Sequence, residues 1–223
     1  MSPICTLLPR DLWKRSCLAL FLALWALSCI HVPYPKYFSI QHLPTVAAMI
    51  ALVWADHRYG IGRTSFTLIL VFLSLHLLGA RYLYSYVPYD DWSEQLLGFR
   101  FTQEFNLTRN HYDRLVHFGF GLLMLTPVYR FCRRIIGLND SWSVIFAVSL
   151  IIGASACYEV FEWIVAIVMA PDWADSYNGQ QGDPWDAQAD MLMAFCGACL
   201  AAAILIAGRG RQSAVEPTPS GRR

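Results

Sequence analysis

Apolar residues fall into six long runs, approximately Ser16 to Val32, Ile40 to Ala55, Phe66 to Leu83, Asp113 to Tyr129, Trp142 to Met169 and Asp186 to Ala207. Each is long enough, or nearly so, to cross a hydrocarbon core about 30 Å thick as a helix. The first, second and fourth are short for that task and need interfacial flanks or local thinning of the bilayer. The pattern predicts an all-α fold, a polytopic membrane helix bundle of about six transmembrane helices.

The segments between the runs set the orientation. With the N-terminus inside, the inner segments hold Arg10, Lys14, Arg15, Arg58, Arg63, Arg130, Arg133, Arg134, Arg209, Arg211, Arg222 and Arg223. The outer ones hold only Lys36, Arg81, Arg100, Arg109 and Arg114. Because basic residues collect on the cytoplasmic side, both termini are expected in the cytoplasm. Residues 1–15 then form a cytoplasmic N-terminus, and residues 16–207 a six-span membrane domain with an outer loop over 84–112. Residues 208–223, rich in Pro, Ser and Arg, read as a disordered cytoplasmic tail. A cleaved signal peptide is the alternative for the first run, since Lys14 and Arg15 precede an apolar stretch ending in Ala26, Leu27 and Ser28. In the outer loop, Tyr82, Tyr84, Tyr86, Tyr89 and Trp92 crowd where the third run ends, which suits an aromatic belt or a lid over a site.

Composition supports a membrane protein. Charged residues make up 15% of the chain and hydrophobic ones 56%, whereas a soluble domain carries about 25% charged residues. The partner this implies is the lipid bilayer, and a net charge of +1 offers no footprint for nucleic acid. The seven cysteines form no disulfide framework. Cys196 and Cys199 have the CxxC spacing of redox or zinc motifs, but among Ala and Leu they read as small residues for close helix contact. No P-loop, Rossmann glycine pattern, nucleophile elbow or internal repeat is present.

Within the apolar runs lie residues that apolar packing does not explain. Glu159 and Glu162 sit three apart on one helical face, in the longest run. A carboxylate in hydrocarbon costs about 2.5–3.5 kcal/mol on insertion scales, so each needs a partner inside the protein. Asp113 with His117, and Asp186 with Asp190, are i,i+4 pairs that present both members on one face. Glu159 lies seventeen residues past Trp142, about 25 Å above the inner interface at 1.5 Å per residue. His117 and Asp190 are each about one turn inside the outer starts of their helices, so three helices bring polar residues to one outward layer.

Helix capping accounts for part of this set. Asp183 before Pro184, Asp186, and Asp113 all suit helix N-termini. Glu159 and Glu162 lie in the C-terminal half of their helix, and Asp190 lies a turn too deep to cap. Six acidic groups in one layer cannot all stay ionised without cations. Arg114 or Arg81 can neutralise one or two; protonation, a wet cleft or a bound metal must deal with the rest. Asp113, His117, Glu159, Glu162, Asp186 and Asp190 are thus candidate ligands for a divalent metal ion such as Mg²⁺, Mn²⁺, Fe²⁺ or Zn²⁺. Glu159, Glu162, His117 and Asp190 are the candidate catalytic or proton-carrying groups.

The same segments carry a family resemblance. NHYDRLVHFGFGLL from Asn110, YEVFEW from Tyr158 and GQQGDPWDAQADM from Gly179 resemble the YjdF-type bacterial inner-membrane proteins, a family defined by a domain of unknown function. GARYLYSYVPY from Gly79 also fits, with Arg81 where the pattern expects His; Tyr129-Arg130 replaces Arg-Glu, and Asn178-Gly-Gln a Leu-Gly-Thr step. The resemblance covers roughly Arg10 to Ala207. It implies a multi-pass protein of the bacterial inner membrane and supplies no activity, substrate or metal. A looser similarity is to VanZ-like membrane proteins, with an Asp-x-x-x-His in one helix, a Glu in the next and spaced Asp residues before another.

Three readings of function stay open. One is a metal-dependent or acid–base membrane enzyme acting on a lipid or envelope-derived substrate. The second is a cation- or proton-coupled transporter, although its acids would sit deeper. The third is a non-catalytic membrane scaffold subunit.

Overall fold

The computed structural model describes residue 9 and residues 11–168 and 181–215. Among them the chain forms eight α-helices and no strand: α1 (Leu12–Ser28), α2 (Pro35–Tyr59), α3 (Arg63–Arg81), α4 (Tyr89–Leu97), α5 (Phe101–Glu104), α6 (Tyr112–Phe131), α7 (Asp140–Val168) and α8 (Asp186–Val215). A π-helical turn, Cys132–Ile136, extends α6 until Gly137 takes a left-handed conformation. Met169, where the fifth apolar run ends, lies outside the described residues, as do most of the N-terminal segment and residues 216–223 of the tail.

Among the described residues five helices are long and apolar enough to cross a membrane: Pro35–Tyr59, Arg63–Arg81, Tyr112–Ile136, Asp140–Val168 and Asp186–Arg209. The first helix has 17 residues, which spans about 25 Å. Two of the runs that looked short are long as helices. Pro35 starts α2 ahead of the apolar stretch, and Gly60 stops it only after His57 and Arg58. A helix ends where its backbone hydrogen bonds are broken, which need not be where hydropathy falls. For the same reason α8 passes Ala207 and continues to Val215.

Two three-helix groups meet along α3 and α6. In one, Leu18 and Phe21 of α1 pack with Met49 and Leu52 of α2 and Phe66, Leu70, Leu73 and Leu77 of α3. One end of it is tied by Lys14 of α1 to Asp56 of α2, 2.5 Å apart and both largely buried. In the other group α6 packs most closely on α8, and its core is made of small residues beside Leu125, Tyr129 and Ile151. A Cβ on Gly121 would collide with the Ala194 carbonyl, and one on Gly197 with the Phe118 carbonyl. Lipid tails are as apolar as Leu, so helices in a bilayer gain by close backbone approach, and these two glycines permit it. Cys196 and Cys199 flank this contact but are exposed and free; Gly197 and Ala198 make the approach in their place.

The segment over 84–112 is built around aromatic contacts. Tyr84 and Val87 pack inward with Tyr112 and Val116, and Trp92 meets the Tyr82 ring edge-on at 6.0 Å. Leu83 and Tyr84 both have positive φ, a region non-glycine residues rarely occupy. That turn sends Tyr84 into the protein rather than toward a bilayer surface.

Candidate functional site

The start of α6 positions the first two site residues. His111 is the N-cap residue, and just before it Asn110, not Asp113, serves the helix start: its Oδ1 accepts from the Tyr112 N–H at 3.0 Å. The Tyr112 hydroxyl donates to the Leu75 carbonyl at 3.0 Å and pins the helix to α3. Asp113 is thereby released from capping and is buried at 4% exposure. One turn deeper on the same face, His117 is buried at 6%.

Three helices converge on these two residues. His117 Nε2 lies 3.8 Å from Asp113 Oδ1 and 3.3 Å from Glu159 Oε1 on α7. Its Nδ1 lies 3.4 Å from the hydroxyl of Ser155, one turn before Glu159. Asp190 of α8 is 1% exposed and completes the group. One ligand atom each from Asp113, His117 and Asp190 lie within 4.8 Å of one another, close enough for a single cation to bridge. Glu159 Oε1 and Asp190 Oδ1 are buried with no hydrogen-bond donor on them. The 3.3 Å approach of His117 to Glu159 brings the atoms close without the angle a hydrogen bond needs. A buried acceptor left unmatched costs about 1–3 kcal/mol, so these two oxygens mark where a donor or a cation would be stabilising.

The other acids are accommodated differently. Asp186 Oδ1 lies 2.5 Å from Arg109, whose side chain is 7% exposed, and 3.6 Å from Arg114. Asp183 Oδ2 lies 2.5 Å from Arg114 and 3.4 Å from Arg109. Asp183 Oδ1 also accepts from the Trp185 N–H at 2.9 Å, as an Asx turn before α8. That backbone bond, and then Arg114, hold its carboxyl below the usual carboxylate range. Arg81, the other candidate counter-ion, bonds instead to the carbonyls of Ser28, Ile30 and His31 at the end of α1. Glu162 shares a hydrogen bond with Tyr158. It lines, with Glu159 and Asp186, a cavity of about 420 Å³ between α7 and α8. Of the six candidate ligands, then, Asp113, His117 and Asp190 form one group with Glu159 against it. Asp186 and Glu162 stand beside that group with partners of their own.

A second cavity, about 290 Å³, lies on the other side of Asp113 and His117. Its walls are mostly apolar, with Phe72 and Phe120 among them, and Ser155 and Tyr158 lie on the α7 side. His76 of α3 faces it, buried, with Nδ1 on the Tyr84 hydroxyl. Sequence reasoning missed His76, Ser155 and the pairing role of Arg109. A lone His or Ser in an apolar run carries no local signal, and Arg109 lies in a loop where only the fold reveals its partner. An intramembrane His is itself a clue that could have been weighed.

Residues 14–211 match the family model DUF2238, described as a predicted membrane protein. The chain is also 32% identical over 156 residues, 70% of each sequence, to inner membrane protein YjdF of Escherichia coli strain K12. No solved structure matches the chain.

Proposed function

This chain belongs to the DUF2238 family of predicted membrane proteins, and we propose that it is a membrane-embedded, metal-dependent enzyme. As a multi-pass inner-membrane protein, it spans the bilayer six times with both termini in the cytoplasm. α1 is the short first span, and the acidic site faces outward. Asp113, His117 and Asp190 would hold a divalent cation, and Glu159, 3.3 Å from His117, would be a fourth ligand or a general base beside it. Ser155 accepts from the far ring nitrogen of His117 and so keeps Nε2 as the metal-facing atom. Asp186 and Glu162 support the site from the side. When bound, a divalent cation would supply Lewis-acid chemistry, suited to hydrolysis or group transfer on a lipid-linked or envelope-derived substrate. The observation that carries this reading is the buried Asp113–His117–Asp190 group, with donorless Asp190 Oδ1 inside it.

Thermal unfolding in detergent tests the metal directly. Chelator should lower the melting temperature, and one divalent metal should restore it by binding the folded state. Elemental analysis should give about one ion per chain, and Asp190→Asn should lose both the ion and the response. A native chain that carries no ion and ignores chelator would end this reading. Reporter fusions after Asp56 and Arg134 should report cytoplasm and those after Lys36 and Glu94 the outside, as the basic-residue bias requires.

A further inference from the structure

A third cavity lies at the end of the bundle away from Asp113. It is a groove of about 610 Å³ between the α2–α3 turn on one side and α6 and α7 on the other. Its walls are apolar, with Trp54, Ile69, Met124, Leu150 and Ile151 along its length. Two charged side chains line it, Arg130 and Arg134. They lie one turn apart on α6 and its π extension and so share a face. Arg130 is seventeen residues, about 25 Å, along the helix from Asp113.

These two arginines differ from the others near them. Arg133 and Arg209 pair with Asp140, and Arg63 with Asp11. Arg130 and Arg134 have no carboxylate within reach among the described residues. The one side-chain bond from Arg130 is to the Ser65 hydroxyl, at 3.3 Å. Ser65 lies in the first turn of α3, a helix that begins at Gly62 with no side-chain cap. The Arg130 guanidinium lies against that turn, since a Cβ on Gly62 would come 3.7 Å from its Nη1. Two unneutralised arginines and an uncapped helix N-terminus thus put positive charge at one end of an apolar groove.

We propose that this groove binds an anionic phospholipid of the bilayer, with its phosphate on Arg130 and Arg134 and an acyl chain along α6. The charge complement is an anion, and the rest of the groove takes only hydrocarbon. Basic pockets between membrane helices on the cytoplasmic side recognise such headgroups. The chain would run toward Phe120 and Ala154, which line both this groove and the cavity beside Asp113 and His117. The inference does not depend on a metal at the acidic site.

Lipid retention on the purified full chain tests it. Protein in detergent is given equal amounts of phosphatidylglycerol and phosphatidylcholine, and bound lipid is counted by native mass spectrometry. The native chain should retain phosphatidylglycerol about tenfold over phosphatidylcholine, because both carry the phosphate but the choline cation offsets its charge beside two arginines. Arg130→Gln/Arg134→Gln should bring the ratio close to one. Arg133→Gln, which like Arg134→Gln removes one positive charge but lies outside the groove lining, should leave it unchanged. Arg134→Gln alone, at an exposed position, should lower the ratio part-way and covers the case in which the double variant fails to fold. Ala154→Phe should weaken retention by filling the groove, and excess inorganic phosphate should fail to strip the lipid. Equal retention of the two lipids by the native chain overturns the proposal. So does an equal effect of Arg133→Gln, which would mean diffuse surface charge. Full displacement by inorganic phosphate would mean an anion site without a chain groove.

Discussion

Two acidic layers sit about one helical turn apart near one end of this bundle, and they are handled in opposite ways. In the outer layer Asp183 and Asp186 meet Arg109 and Arg114, so every carboxylate has a guanidinium against it. In the inner layer Asp113, Glu159 and Asp190 surround a single imidazole, and two carboxylate oxygens have no donor. A fold that needed acids only for packing would have neutralised both. The outer layer therefore reads as a clamp on the start of α8, and the inner one as a buried group whose acceptors outnumber its donors.

The comparison breaks most visibly at Arg109. Arg109→Gln leaves Asp186 buried beside fewer cations, which should cost about 3–5 kcal/mol. Unfolding in detergent should show a large fall in melting temperature, and adding Asp186→Asn should recover most of it. A single variant as stable as the native chain would mean that the outer layer clamps nothing.

Asp190→Asn and Asp183→Asn give the sharpest contrast between the layers. With metal at a hundred times its dissociation constant, binding adds about 2.7 kcal/mol of stability. Asp190→Asn should lose that increment and Asp183→Asn should keep it. Equal losses in the two variants would erase the distinction.

Ser155→Ala is gentler, because it removes only the group that orients the His117 ring. Metal affinity should fall about 10- to 100-fold, the usual effect of losing such a partner. Titration followed by melting temperature should show a shifted midpoint with the same final plateau. An unchanged midpoint would show that Ser155 does not set the ring.

The smallest effect expected is on pH, at His111 beside the outer layer. Burial first, and then the charges of Arg114 and Arg109, lower its pKa below the ordinary 6.5. The neutral ring accepts from Arg114 at 3.4 Å. Protons therefore bind the unfolded chain more readily. The stability contribution is complete above 6.5 and fades as pH falls through that value toward the lower folded one. A modest loss of melting temperature from pH 7.5 to 5.5 should disappear in His111→Gln. A loss that persists in the variant would assign the effect to another group.

Much of this architecture was legible in the chain. A bilayer satisfies no backbone hydrogen bonds, so long apolar runs had to become helices. Any acid within such a run also had to find a partner in the protein. Spacing put Asp113 with His117 on one face, and the positions of Glu159 and Asp190 along their helices put them at a similar depth. Span ends were less legible, because Gly60 and Gly137 stop their helices beyond the point where hydropathy drops.

Only the tertiary structure decided which of these residues meet. Periodicity fixes a side chain's angle on its own helix and says nothing about the rotation of that helix against its neighbours. The rotation of α8 against α6 follows from Gly121 and Gly197, where two backbones come closer than any Cβ allows. That crossing points Asp190 at Asp113 and His117 and leaves Asp186 to Arg109. It takes long-range packing to give two acids one turn apart such different surroundings, arginines for Asp186 and a histidine with a second carboxylate for Asp190.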